Sequence, residues 1–213
     1  MRLLTAVIAI ACAAGPLAAQ RLRPAASASF VTARVRSAVP AGVEEWSGTA
    51  FLGQGALTLG RLSLNVSYLQ GTLDPAGVGA ATTGRDLVEG TVLLGIRPAA
   101  WLTLRGGPHA RAYTLTGGTQ RWLFWEVGAR AATAFVGSAV QGYAELWRAV
   151  SADANVPEPF DHAQGGEAGM ILRLARAPLQ ARVGYRIDHA ELGGGTRRET
   201  VDGVVVGVGL AWH

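Results

Sequence analysis

Acid–base chemistry needs a histidine close to a carboxylate, and the sequence contains two such neighbours, Asp161-His162 and Asp188-His189. Adjacent side chains on an extended strand point to opposite faces, so Asp188 and His189 do not form a dyad within one strand. Asp161-His162 falls in a segment rich in turn residues, where adjacency proves no contact. No recognisable nucleophile motif accompanies these histidines or His109. We therefore assign no catalytic residue, metal ligand or cofactor, and leave open whether the protein is an enzyme.

A larger set of charged residues occupies one face of alternating polar and apolar segments. It contains eight arginines, five carboxylates and one histidine. Arginine and carboxylate at close range form bidentate, charge-assisted hydrogen bonds, so a shared interior would be braced by ion pairs. The set is Arg34, Arg36, Glu89, Arg105, His109, Arg111, Glu126, Arg130, Glu145, Glu167, Arg173, Arg182, Arg186 and Asp188.

The elements that carry these residues share a two-residue hydrophobic period. The clearest example is Leu62, Leu64, Val66 and Tyr68, which alternate with Ser63, Asn65 and Ser67. This period predicts strands with one apolar and one polar face. Most segments are near the roughly 9–11 residues that a tilted strand needs to cross a bilayer. The ten segments are approximately 28–38, 45–58, 61–71, 86–97, 101–113, 121–134, 139–149, 166–175, 179–190 and 200–212.

The connections between the segments alternate in length. The longest are GTLDPAGVGAATTGRD and SADANVPEPFDHAQGG, and the short ones include Pro98-Ala99-Ala100. Glycine, proline, aspartate and asparagine cluster in these connections, as turn chemistry requires. The alternation predicts tight turns at one end of the molecule and longer loops at the other. We expect loops 72–85 and 150–165 to be contact surfaces.

The first residues, MRLLTAVIAIACAAGPLAAQ, have the features of an export signal. Arg2 supplies a positive start, an apolar stretch follows, and Leu17-Ala18-Ala19 resembles a cleavage site. We predict a signal peptide over 1–19 and one mature domain over 20–213. The single cysteine, Cys12, lies inside the signal, so the predicted mature chain has no disulfide.

Long alternating segments, turns of unequal length and an export signal together resemble the bacterial outer-membrane β-barrel class. The last segment strengthens the resemblance, because Val208, Leu210 and Trp212 end it in an apolar and aromatic pattern similar to that class's membrane-assembly signal. The resemblance covers nearly all of the predicted mature chain. It implies an all-β, transmembrane, antiparallel up-and-down barrel of about ten strands, with eight possible. It also implies outer-membrane lipid and the barrel-assembly machinery as partners.

The polar face decides between a membrane barrel and a soluble one. In a membrane barrel the apolar face points outward to lipid, and a mid-membrane arginine on that face costs about 2–4 kcal/mol. No charge interrupts the apolar set in mid-strand; this set includes Val31, Ala33 and Val35 on the first segment and Leu172 on the eighth. We therefore predict that the fourteen charged residues line the lumen.

Several functions remain open for such a barrel. We expect a small, monomeric barrel of a Gram-negative outer membrane with a structural or surface-interaction role and an ion-paired, largely plugged lumen. The alternatives are a narrow, porin-like pore that favours anions, an outer-membrane hydrolase, and a secreted soluble barrel that binds a ligand. The net charge of +4 is spread along the chain without a basic stripe, which argues against nucleic acid as a partner.

Overall fold

The protein, described here by a computed structural model, is a closed barrel of ten antiparallel strands. The structure describes residues 22–77, 82–115, 117–137, 139–174 and 177–211. Each strand pairs with its neighbours in the sequence, and β1 closes the barrel against β10. The strands are β1 (Leu22–Val39), β2 (Gly42–Leu59), β3 (Leu62–Pro75), β4 (Arg85–Ala99), β5 (Leu102–Leu115), β6 (Gly118–Val136), β7 (Val140–Ala154), β8 (Phe160–Arg173), β9 (Leu179–Leu192) and β10 (Arg197–Ala211). The predicted fold class is confirmed, with ten strands rather than eight.

The two ends of the barrel differ in their connections. The short-turn end holds Leu22, Ala211 and the turn at Gly60-Arg61, and the opposite, long-loop end holds the 76–84 and 155–159 connections. We name the two halves of the barrel after these ends. In the described residues, no helix has the length and apolar character to cross a membrane.

Strand pairing shortens the two loops expected as contact surfaces, which corrects their bounds from 72–85 and 150–165 to 76–84 and 155–159. Strand β3 continues to Pro75, where it pairs with Trp46 of β2, and β8 begins at Phe160. Cross-strand pairing therefore overrides the turn preference of the glycines, prolines and aspartates in these segments. Pro75 is tolerated because it is the last residue of its strand. The predicted signal peptide and Trp212 lie outside the described residues.

Polarity changes sides between the two halves of the barrel. In the short-turn half, polar residues such as Ser63 and Asn65 point inward, and Leu62 and Leu64 point outward, as predicted for a membrane barrel. In the long-loop half, most inward-pointing side chains are apolar and form one buried core, while polar side chains such as Arg34 and Arg36 point outward. The alternation continues along each strand apart from local bulges, but the environment that each face meets is exchanged.

This exchange corrects the prediction for β1. Val31, Ala33 and Val35 are buried inside the barrel, at 1%, 3% and 0% exposure, and do not face outward. Arg34 and Arg36 therefore lie on the outer wall and not in the lumen. The sequence pattern on β1 was assigned the wrong orientation because apolar residues face inward in this half, as they do in a soluble barrel.

The outward arginines of β1 form ion pairs on the outer wall near the long-loop end. Arg34 Nε lies 2.5 Å from Glu45 Oε1, and Arg36 donates a 3.1 Å hydrogen bond to Asp202 Oδ1. Because both members of the Arg34–Glu45 pair are solvent-accessible, their pairing contributes little to stability.

Candidate functional site

A cavity of about 870 Å³ occupies the short-turn half of the lumen. Its mouth is at the short-turn end, beside Arg23, Arg97 and Trp101, and its floor includes His109 and Trp147. We call this cavity the vestibule. Its floor lies near the middle of the strands, so the vestibule occupies only part of the barrel's length.

Positive charge exceeds negative charge along the vestibule wall. Seven arginines and five carboxylates line it among the described residues. The arginines are Arg23, Arg97, Arg105, Arg130, Arg173, Arg182 and Arg186, and the carboxylates are Glu89, Glu126, Glu145, Glu167 and Asp188. Amide and hydroxyl groups supply much of the remaining wall, so the cavity is suited to a polar ligand.

Two carboxylates neutralise part of the vestibule's positive charge. Glu145 accepts hydrogen bonds from both Arg105 and Arg130, and the bond from Arg130 Nη1 is 3.3 Å long. Arg182 pairs with Glu167. One carboxylate therefore serves two guanidinium groups on this wall, which leaves donor capacity unused.

Arg173 provides further unused capacity. Its Nη2 donates a 2.7 Å hydrogen bond to the neutral Gln141 Oε1, and no carboxylate of the described residues forms a salt bridge with it. The Nε atoms of Arg105 and Arg173 are buried and have no hydrogen-bond partner in the described part of the chain. A buried N–H without a partner is unfavourable, so a ligand oxygen would be stabilised at these atoms.

A layer of buried charges forms the floor of the vestibule. We call Glu89, His109, Arg111, Glu126, Arg186 and Asp188 the charged layer. Arg111 reaches Glu89 Oε2 and Asp188 Oδ2 at 2.7 Å each, and Arg186 Nη2 lies 2.8 Å from Glu89 Oε1. His109 Nδ1 lies 2.8 Å from Glu126 Oε2. These contacts join strands across the lumen and bring the charges together without water in between.

Aromatic side chains fill the lumen on the long-loop side of the charged layer. Trp122, Phe124, Trp147 and Phe160 form the aromatic plug. The ring centre of Phe124 lies 5.9 Å from that of Trp122, 6.2 Å from that of Trp147 and 6.1 Å from that of Phe160. Trp122 and Phe124 are only 2% and 1% exposed. The side chains at this level are therefore close-packed, as in a soluble core.

A cap closes the lumen at the long-loop end. The Arg85 guanidinium lies 3.6 Å from the ring centre of Trp46 and 4.2 Å from that of Tyr113. Tyr113 donates a 2.6 Å hydrogen bond to Glu199, and Trp46 Nε1 donates one of 3.0 Å to the Thr83 carbonyl. An arginine stays protonated at neutral pH, so the cation–π contacts persist.

The structure brings together twelve of the fourteen residues expected in the lumen. Apart from Arg34 and Arg36, all of them point into the barrel: six form the charged layer, and Arg105, Arg130, Glu145, Glu167, Arg173 and Arg182 line the vestibule. His109, one of the histidines considered for acid–base chemistry, is 2% exposed in the middle of the lumen. His162 and His189 lie near the long-loop end, on the outer wall.

Sequence reasoning missed the aromatic plug and the cap. Trp46, Trp122 and Trp147 are all buried inside the barrel, and no motif in the sequence marks them as a group. Position parity contained a usable signal, because Tyr113 is in phase with Arg111 and Trp147 is in phase with Glu145. A large aromatic residue on a charged face therefore indicated the interior rather than the membrane surface.

Gly165 is required where the plug meets the charged layer, and its replacement by alanine is expected to destabilise the barrel. Trp147 Nε1 donates a 3.0 Å hydrogen bond to Asp188 Oδ1 across this glycine. A Cβ at position 165 would lie 2.6 Å from Trp147 Nε1 and would also collide with Asp188 Oδ1. We expect Gly165→Ala to lower the free energy of unfolding by about 1–3 kcal/mol, as overpacking does. Denaturant titration followed by tryptophan fluorescence measures the change.

Gly55→Ala is the matched control for this substitution. Gly55 also lies in a strand, but a Cβ there has no atom within 4 Å. The control should unfold close to the wild type. Equal stability of Gly165→Ala and Gly55→Ala would contradict the packing described for Trp147 and Asp188.

The fold, the outward apolar surface and the filled lumen together define an outer-membrane-type β-barrel. Among solved structures, the chain is similar to the outer membrane protease OmpT of Escherichia coli, with a TM-score of 0.61 and 8% identity over 91% of this chain and 97% of that one. This likeness shows the fold alone.

Two further solved barrels align with lower scores. The translocator domain of the autotransporter NalP of Neisseria meningitidis has a TM-score of 0.49 and 13% identity, with 99% of this chain and 94% of that one covered. Neisserial surface protein A has a TM-score of 0.39 and 12% identity, with 90% of this chain and 97% of that one covered. No protein-family model and no curated protein matches the chain.

Proposed function

We propose that this protein is an integral protein of the bacterial outer membrane that does not conduct ions and that binds an anionic ligand in the vestibule. The membrane assignment is supported by the thirty-one large hydrophobic side chains that are exposed among the described residues, most of them on the outer wall. A soluble monomer rarely exposes an apolar patch above a few hundred Å². The same surface argues against a secreted soluble barrel.

The proposed orientation follows from the connections. Outer-membrane barrels have short turns in the periplasm and longer loops outside the cell. The vestibule would then open to the periplasm, and the long-loop half, with polar residues on its outer wall, would extend beyond the membrane. Ligands would reach the vestibule from the periplasmic side.

The long-loop half of the lumen is filled by side chains, which supports a barrel that does not conduct ions. A pore needs a continuous polar path along the barrel axis. In this barrel the aromatic plug and the cap occupy the lumen between the charged layer and the long-loop end. Trp122, Phe124 and Tyr113 at these levels are at most 2% exposed. The alternative of a narrow anion-selective pore is therefore less well supported than a blind cavity.

The excess of arginine in the vestibule is the observation that carries the proposed ligand class. Seven arginines face five carboxylates there, and two buried arginine Nε atoms have no hydrogen-bond partner among the described residues. Arginine binds carboxylate and phosphate groups through paired, charge-assisted hydrogen bonds. A small multivalent anion would use the donors that Glu145 and Glu167 leave free.

Calorimetric titration of the purified barrel with citrate tests this proposal. Citrate is a compact tricarboxylate, and the trivalent cation spermidine serves as the opposite-charge probe. We expect saturable binding of citrate and none of spermidine. Arg173→Gln should weaken citrate binding about tenfold, because a hydrogen bond to a charged group is worth about 1.5–3 kcal/mol. Arg173 is chosen because its observed partner, Gln141, is neutral, so no carboxylate loses an ion pair.

Arg121→Gln is the control, since Arg121 is exposed and does not line the vestibule. Absence of citrate binding, or equal weakening by both substitutions, would refute the proposed ligand class.

Lipid contact, the assembly machinery as a partner and the monomeric state stay predictions. Val208 and Leu210 of the expected assembly signal lie on β10 with exposed side chains.

A further inference from the structure

The outer wall of β8 and β9 carries a cluster of metal-ligand side chains near the long-loop end. His162, His189 and Glu191 each offer one ligand atom, and these atoms all lie within 4.8 Å of one another. The three side chains are half-buried, with exposures of 32%, 33% and 25%. The cluster is outside the lumen and is independent of the proposed vestibule function.

A β-bulge creates the cluster. The register between β8 and β9 shifts between Phe160, which pairs with Leu192, and His162, which pairs with Glu191. Asp161 is therefore an additional residue on β8, and its insertion places His162 directly opposite Glu191. The Asp161 carboxylate accepts a 2.7 Å hydrogen bond from the Gly194 N–H, which holds the bulge against the β9–β10 turn. Bulges of this kind redirect a side chain in a way that regular pairing does not.

His189 reaches the same point from β9. It precedes Glu191 by two residues, so both side chains lie on one face of the strand. Its Nδ1 is 3.2 Å from Thr200 Oγ1, and its Nε2 is 3.3 Å from Glu191 Oε1. His162 Nδ1 lies 3.9 Å from Glu191 Oε2. A hydroxyl on the second ring nitrogen fixes the orientation of a ligating imidazole, and Thr200 occupies that position.

We propose that His162, His189 and Glu191 bind a divalent transition-metal ion of the zinc class on the outer wall of the barrel. Two imidazoles and one carboxylate are a three-ligand set that zinc accepts, with a fourth position left for water. The two nitrogen donors argue against calcium or magnesium, because these ions prefer oxygen ligands. The ion would join β8 to β9 at the bulge.

Arg198 gives this site a distinguishing property. Its Nε lies 3.3 Å from Glu191 Oε1, so a guanidinium holds the carboxylate that the metal would use. The Arg198 side chain is 58% exposed and is free to move into solvent. Metal binding would therefore replace this surface ion pair, and removal of the arginine charge should strengthen binding.

Zinc titration of the full mature chain tests the site, with the purification tag removed and the protein first treated with a chelator. Competition with a chromophoric chelator should give one zinc ion per chain. His162→Ala, His189→Ala and Glu191→Gln should each reduce affinity by more than the roughly tenfold loss expected for Thr200→Val. Arg198→Gln should increase affinity. Cobalt provides a second readout, since its visible absorption reports nitrogen and oxygen ligation.

Two controls separate this site from unspecific binding. His213→Ala removes the histidine of the C-terminus, and Asp153→Asn removes an exposed carboxylate of β7; both should bind zinc like the wild type. The shift of electrophoretic mobility on heating verifies that each variant is folded. Absence of stoichiometric zinc binding would overturn the proposal. So would zinc binding that survives His162→Ala and His189→Ala unchanged in folded protein.

Discussion

Replacing Trp122 and Phe124 together with alanine is expected to convert an electrically silent barrel into one that passes ions in discrete steps. Both side chains are buried in the aromatic plug, and their ring centres lie 5.9 Å apart. Their truncation removes two of the four aromatic side chains of the plug, which lies between the charged layer and the cap. Planar-bilayer recordings should show no current steps for the wild type and resolvable steps for the double variant.

The same strand supplies the control for this experiment. Leu123 and Trp125 alternate with the plug residues on β6 but are 47% and 55% exposed on the outer wall. Leu123→Ala combined with Trp125→Ala removes similar apolar groups from the other face and should remain silent. Steps in the wild type would contradict a sealed lumen. A folded but silent Trp122→Ala, Phe124→Ala variant would show that the charged layer or the cap is sufficient to close it.

The strand alternation was sufficient to predict the barrel, because the two-residue period covers most of every strand and is displaced only at local bulges such as that at Asp161. It was not sufficient to orient every strand. The pattern of β1 shows the reason: Val31 and Val35 face a packed core, whereas Leu62 and Val66 of β3 face outward. An alternating segment fits either arrangement equally well. Only the contents of the lumen at a given level decide which face is inside.

The composition of the site could be predicted better than its connections. Charged residues on β4 to β9 were assigned to the interior by position parity alone. Their partners were not predictable, because Arg111 and Asp188 are 77 residues apart and Arg182 and Gln54 are 128 apart. These pairs form across the lumen between strands that are not neighbours. Barrel closure and the stagger of the strands determine such contacts, and spacing along the chain does not encode either.

Arg111→Met is expected to have the largest effect on stability of any single substitution in the charged layer. The Arg111 side chain is 4% exposed and binds Glu89 and Asp188, which are themselves 5% and 3% exposed. Methionine leaves the two carboxylates with Arg186 as their remaining arginine partner. Removal of one partner from a buried ion pair typically costs about 3–5 kcal/mol. Denaturant unfolding in detergent, followed by tryptophan fluorescence, should show a loss of this size.

Comparison with Arg34→Met shows whether the loss of stability depends on where the substituted arginine lies. This variant carries the same substitution on the outer wall, where Arg34 and Glu45 are both accessible to solvent, and it should unfold near the wild-type midpoint. A midpoint of Arg111→Met equal to that of Arg34→Met would contradict a tightly coupled interior layer.

A second substitution tests whether the loss comes from an unpaired carboxylate. Glu89 accepts hydrogen bonds from Arg111 Nε at 2.8 Å and from Arg186 Nη2 at 2.8 Å. If an uncompensated charge is responsible, Glu89→Gln should destabilise the wild type but restore part of the stability lost in Arg111→Met. Residues of one network show such non-additivity, whereas independent sites give additive free energies. Additive losses in this double-mutant cycle would mean that Arg111 stabilises the barrel by packing alone. Partial rescue would show that the residues of the charged layer stabilise the barrel as a connected network. This layer lies at the level where the polar and apolar faces of the barrel exchange sides.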